Sequence, residues 1–214
     1  MSSCFFTLGN LLFKQVIGIP MGSDPAPFMA NLFLYFYENK WLMKLKKQDL
    51  VSARKFGSTF RFIDDLCAIN DESLFEKHCK EIYPRELELK KEHGGDRASF
   101  LDMDIKVAER KFSISLFDKR DAFPFSIVRM PHRKSNIPTN MFYSTLGSEV
   151  LRIGRTTSHL EDFLKSSSSL LRRMKNQGAE NQAIGKVLRK MYGRHDVLHK
   201  FATNAKAFTN LLTV

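Results

Sequence analysis

Acidic residues are missing from the start of this chain and scarce towards its end. Met1 to Ile17 contains no Asp or Glu, and residues 123–214 hold only 5 of them against 15 Lys and Arg. Residues 1–122 carry 19 basic and 18 acidic side chains, so nearly all of the formal charge of +11 falls in the second part. A basic segment joined to a neutral one suits a surface that tracks a phosphate backbone. Cysteine is also scarce. Cys4, Cys67 and Cys79 are odd in number and widely spaced, so neither a disulfide framework nor a zinc site is indicated, and Cys67 and Cys79 read as reduced core residues. No apolar run approaches the roughly 18 residues of a membrane span, and no basic-then-apolar leader opens the chain. These absences predict an intracellular protein with no membrane partner. With 43% apolar residues, the 214-residue chain has enough to bury a core.

What is present begins with Arg61-Phe62-Ile63-Asp64-Asp65-Leu66-Cys67-Ala68-Ile69. It reads as two short apolar strands joined at Asp64 and Asp65. Two-residue hairpin turns favour Asn-Gly, Asp-Gly or Gly-Gly, because φ > 0 is needed there. Two adjacent carboxylates repel each other in such a turn, and the flanking β-formers Phe60, Phe62, Ile63 and Ile69 hold it rigid. A divalent cation converts that repulsion into ligation, since Mg²⁺ takes hard oxygen ligands and is held by one or two carboxylates plus substrate phosphates.

Upstream, Gly18, Pro20, Gly22, Ser23, Pro25 and Pro27 break any regular structure before the apolar run Phe28-Met29-Ala30-Asn31-Leu32-Phe33-Leu34. Asp24 followed by Pro25 predicts a capped helix start, with the helix running to about Lys46. The amides at such a helix start suit an anion.

These two motifs in this order resemble the reverse transcriptases, and most closely those of Penelope-like and related non-LTR retroelements. Gly18-Ile19-Pro20-Met21-Gly22-Ser23 with Ala26-Pro27 resembles the loop and helix beneath the incoming nucleotide and templating base. Phe62-Ile63-Asp64-Asp65 resembles the strand-turn-strand motif that carries two of three metal-binding aspartates. Further on, residues 98–105 resemble the strand after the palm helix, and residues 116–125 the approach to the primer grip. Ser135-Asn136-Ile137-Pro138 and the helices beyond it resemble the thumb.

The resemblance implies RNA-templated DNA synthesis with Mg²⁺, for which Mn²⁺ substitutes. Two ions about 3.5–4 Å apart would clamp the attacking and leaving oxygens. Asp64 and Asp65 would be the metal ligands. Gly18, Pro20, Gly22 and Ser23 would bind nucleotide and template, and residues 124–138 would position the primer end. The partners would be an RNA template, a DNA primer and a dNTP. Lys90 and Lys91 lie where the family places a lysine that protonates pyrophosphate, and Lys14, Gln15 and Arg61 are candidate template or nucleotide contacts. The family's third carboxylate and its fingers lie upstream of the Gly-Pro loop, where only seventeen residues, none acidic, stand here. The expectation is therefore an α+β chain. A partial palm, an antiparallel sheet with packed helices, would occupy residues 1–122, and a basic helical thumb residues 123–214. As a fragment it would be inactive. The alternative is a catalytically dead nucleic-acid-binding remnant of a retroelement; an unrelated basic α+β RNA-binding protein is a third reading.

The coarse pattern completes the expectation. Asn70-Asp71 caps a helix from about 72 to 83, ended by Pro84. Residues 86–91 alternate as a strand, 98–107 as another, and 111–117 as a third after a turn at Glu109-Arg110. The boundary falls near 122–137. Ser158 to Glu161 reads as a capping box, and Gly178 as the end of that helix. His195 and His199 stand i, i+4 on the next helix as phosphate-facing or solvated groups. Asp102 and Asp104 share one strand face as polar edges.

Overall fold

The computed structural model describes residues 4–20, 22–69, 73–92, 94–125 and 127–213. They alternate helices with antiparallel hairpins, an α+β arrangement. Contacts divide the chain into two compact units, Met1–Lys91 and Glu92–Val214. The division falls ahead of the boundary that charge suggested, because the strands after residue 96 pack with the later helices.

The first unit opens with strands β1 (Phe5–Leu8) and β2 (Leu11–Lys14), joined through Gly9 and Asn10. Phe6 stacks on Phe13 at 5.4 Å, yet every residue of both strands is exposed. Helix α1 (Ala26–Gln48) starts one residue later than expected. Pro25 is its N-cap and Pro27 lies in its first turn, where a missing N–H costs nothing. Asp24 stays in the preceding turn and makes no cap. Asp49 does cap: its carboxylate accepts from the Val51 and Ser52 amides, both at 3.0 Å, and starts α2 (Leu50–Lys55). The hairpin of β3 (Thr59–Phe62) and β4 (Asp65–Ala68) follows, then α3 (Leu74–Ile82). Helix α3 stops before Pro84, as expected; the Asn70-Asp71 cap lies outside the described residues. Trp41 of α1 packs edge-on against Phe56 at 4.8 Å and tilted against His78 of α3 at 5.2 Å.

The second unit carries the core. Strands β5 (Arg97–Phe100), β6 (Met103–Ala108) and β7 (Lys111–Leu116) form a sheet in that order. Helices α4 (Thr139–Thr156), α5 (Leu160–Asn176), α6 (Asn181–Arg194) and α7 (Ala205–Thr213) each carry apolar residues at steps of three and four, so each buries one stripe. Phe163 stacks face to face on Phe201 at 3.9 Å and leans on Phe208; Leu146, Ile153, Leu188 and Leu198 close around them. Leu116 joins from β7.

Four local expectations are corrected. Residues 86–91 form no strand; Leu87 and Leu89 are exposed, and alternation alone cannot hold a strand that has no neighbour. The single strand over 98–107 is a hairpin, because Leu101 takes φ 55° and turns the chain. Asp102 therefore sits in the turn, paired with Arg152 at 2.9 Å, while Asp104 is buried in β6 against Arg97 at 2.7 Å. Ser158 does not cap α5: it bridges to Ile114 of β7, donating its own amide to the carbonyl at 2.8 Å and accepting the Ile114 amide on its hydroxyl at 3.1 Å. The turn at Glu109 and Arg110 and the end of α5 at Gly178 stand as expected.

The folded chain exposes 15728 Å². A compact domain of 24.7 kDa exposes on the order of 10,000 Å², and two separate domains of its unit sizes about 12,000 Å². In the first unit Phe28 is 70%, Val16 83% and Ile17 87% exposed.

Candidate functional site

The Gly-Pro loop feeds directly into α1. Gly18 and Gly22 take φ +90° and +86°, the left-handed region that side chains rarely enter. A Cβ on Gly18 would also stand 3.4 Å from the Gln15 amide nitrogen. Ser23 turns inward: its hydroxyl donates to the Pro20 carbonyl at 2.9 Å, and its own carbonyl accepts from Ala26 at 3.0 Å. The loop is thus fixed by its own backbone and by the first turn of α1.

The acidic hairpin differs from expectation by one residue. Phe62 pairs with Asp65, so the loop residues are Ile63 and Asp64, and Asp65 opens β4. The positive φ falls on Ile63, at 53°. A β-branched residue there is a steric outlier that costs on the order of 1–3 kcal/mol. The same arrangement recurs at Leu101 and Asp102 in the other unit, so strain alone does not single out the first hairpin. What distinguishes it is the clamp beneath it.

That clamp comes from α1. Arg61, one residue before Phe62, forms a two-pronged ion pair with Glu38: Nε to Oε1 at 2.6 Å and Nη2 to Oε2 at 3.2 Å. Its Nη1 donates to the Asn31 side-chain oxygen at 2.7 Å and to the strained Ile63 carbonyl at 3.3 Å. The Asn31 oxygen also accepts the Ile63 amide at 3.3 Å. Tyr83 donates to Glu38 at 2.6 Å, and burial together with that bond pushes its phenol far above the usual range. Both polar groups of the Ile63 backbone are therefore satisfied by α1 or by Arg61. Asn31 lies about 8 Å along the helix from Ala26, so one helix anchors the Gly-Pro loop at its start and the acidic turn in its second turn. Arg61, a candidate nucleotide contact by sequence, is committed to this internal network; its side chain is 13% exposed.

Replacing Arg61 with Met should destabilise the first unit by about 2 kcal/mol, because Glu38 loses a charge-assisted pair in a half-buried place. Arg61→Lys should recover less than half, since a point charge cannot reproduce the fork. Trp41, the chain's single tryptophan, reports the transition by fluorescence during urea unfolding.

Asp64 and Asp65 are both exposed at the hairpin tip. Two hard carboxylates in succession fit one Mg²⁺, which keeps several waters and takes further oxygens from a substrate phosphate. Among the described residues, no group of three His, Cys, Asp or Glu could hold a metal ion. A second ion would need another ligand. Lys90 and Lys91 lie on the irregular stretch after α3, and Lys91 pairs with Glu76 at 2.8 Å.

The second unit holds 21 Lys and Arg against 12 Asp and Glu. Part of that charge is internally engaged. Asp118 accepts from Arg120 at 2.6 Å and Arg173 at 2.9 Å. Burial works to raise its carboxyl, but these bonds outweigh it and hold the group well below the carboxylate range. By contrast, Lys186, Arg189, Lys190 and Arg194 are exposed along α6, opposite its buried Ile184, Leu188 and Tyr192. They span about 12 Å of helix, three to four phosphate steps along one strand. On α5, Lys165 and Arg172 face outward in the same manner. His195 and His199 do not share a helix: α6 ends at Arg194, and His199, in a 3-10 turn, contacts the Tyr192 carbonyl at 2.9 Å.

Sequence reading missed Glu38, Asn31 and Tyr83. A Glu among apolar residues at mid-helix, with an Arg on a later strand, was the signal available. Compared with protein-family models, with curated proteins and with solved structures, the chain matches none.

Proposed function

We propose that this chain is the part of an RNA-templated DNA polymerase of the retroelement type that presents two metal-binding carboxylates and holds primed template. On this reading the first unit is a partial palm and the helices of the second a basic thumb. The observation that carries the reading is the clamp of α1 on the acidic hairpin. One helix fixes both a Gly-Pro loop with open backbone and a strained turn carrying Asp64 and Asp65, in the order of the reverse-transcriptase motifs that they resemble. Asp64 and Asp65 would hold Mg²⁺, which when bound supplies charge stabilisation at the transferring phosphate. Arg61, Glu38 and Asn31 fix the turn so that the carboxylates need not reorganise. The exposed cations of α5 and α6 bind phosphates without reading bases, and pairing with the template supplies selectivity.

A second reading has its own support. Among the described residues no third acidic group joins the pair, which favours a chain that binds primed template without extending it. Primer extension on an RNA template, with Mg²⁺ or Mn²⁺, is the test. The chain by itself should extend no better than the Asp64→Asn, Asp65→Asn variant, while millimolar Mg²⁺ should raise the melting temperature of the wild type alone. Extension well above the double variant would reveal a third ligand. A Mg²⁺ shift in neither protein would reject the metal site.

A further inference from the structure

Within the first unit, no described residue covers one apolar face of helix α1. Phe28, Leu32, Tyr35, Phe36 and Met43 are all exposed. At 100° per residue they fall in one stripe about 100° wide, together with Asn39. The cations Lys40 and Lys44 lie off this stripe. Its spacing reads the same from either end, since Phe28, Leu32 and Tyr35 advance by four and then three, as Met43, Asn39 and Phe36 do in reverse. A face with that property is complementary to itself, which an isologous two-fold contact demands.

We propose that two copies of this chain pair through α1, antiparallel, about a two-fold axis between Tyr35 and Phe36. The register sets Phe28 against Met43 of the second copy, Leu32 against its Asn39, and Tyr35 against its Phe36. The exposed fractions of the five apolar side chains amount to about 600 Å² per copy and about 1,200 Å² for the pair, the lower edge of stable interfaces. Aromatic residues and Met, enriched in such interfaces, make up four of the five. Asn39 within the seam fixes register, as single polar residues do in paired helices. A nucleic acid or other polyanion offers nothing to this face, which carries no cation between Phe28 and Met43.

Sedimentation of the full chain over a range of micromolar concentrations tests the pairing. The expected result is a concentration-dependent rise towards twice the 24.7 kDa chain mass. Phe36→Lys places like charges beside the axis and should weaken association by at least about a hundredfold. Leu12→Lys, which removes an exposed apolar residue from β2, should leave it unchanged. A chain carrying only Leu32→Cys, mixed with one carrying only Asn39→Cys, should crosslink under mild oxidation above the background of the parent chain and of either variant by itself, because the antiparallel register sets those two positions against each other. A monomer mass throughout overturns the proposal. So do assemblies of no fixed mass that Phe36→Lys leaves intact, or a crosslink no stronger than the parent's.

Discussion

Raising salt from about 50 to about 200 mM should weaken binding of an RNA–DNA hybrid by about a thousandfold if six or more phosphates are neutralised. Each neutralised phosphate releases condensed counterion, so the slope of affinity against salt counts the contacts. The cations expected to contribute are those on the outward faces of α5 and α6: Lys165, Arg172, Lys186, Arg189, Lys190 and Arg194. Substituting Lys186 and Lys190 together with Gln should lower the slope by about two. Arg120→Gln should change it little, because that guanidinium is held by Asp118 at 2.6 Å. Sequence preference among hybrids should be slight, since contacts to phosphate carry no sequence information. Titrations at four or five salt concentrations decide the matter. A slope that the Lys186, Lys190 substitutions leave unchanged would sink the assignment of α6 as the binding face.

The largest effect on stability is expected at Phe163. Its ring is fully buried, stacked on Phe201 at 3.9 Å and tilted against Phe208 at 5.9 Å. It thereby ties α5 to the 3-10 turn before α7 and to α7 itself. Phe163→Ala removes the transfer energy of a whole ring and leaves a cavity between elements that cannot all close in. The cost should be about 3–5 kcal/mol, a large share of what a domain of this size possesses. Phe163→Leu, which keeps most of the volume, should cost well under half of that. Loss of helical circular dichroism in denaturant measures both. A cost under about 1 kcal/mol for the Ala variant would mean that the core repacks around the missing ring.

Local signals were legible where the chain's own chemistry decides. Pro25 and Pro27 mark the start of α1, Pro84 follows the end of α3, and Gly178 closes α5, because each acts on backbone within one turn. The acidic hairpin was legible in place but not in register. Steric preference puts positive φ on Gly, Asn or Asp, and nothing local predicts it for Ile63; Asn31, 32 residues earlier in the chain, holds it there. Leu101 defeated the reading of β5 and β6 in the same way. The stretch at 86–91 has a strand's alternation without a strand's neighbour, and a neighbour is a tertiary fact. Arg61 shows the limit most clearly. A cation next to a catalytic-looking motif invites a ligand, yet its partner is Glu38, separated by 23 residues and visible only once α1 lies beside β3.

The placement of the core has a consequence for how the chain is made. The buried cluster of the second unit runs from Met130 to Leu212, so the apolar β1–β2 hairpin and α1 leave the ribosome before it. At about 5–20 residues per second, on the order of ten seconds pass between their emergence and that of the last core helix. For that interval the nascent chain offers strands with open edges and a bare aromatic stripe, before the cluster of Met130 to Leu212 has formed. Holdase chaperones bind such segments, and an early encounter with a second nascent chain would be the competing fate.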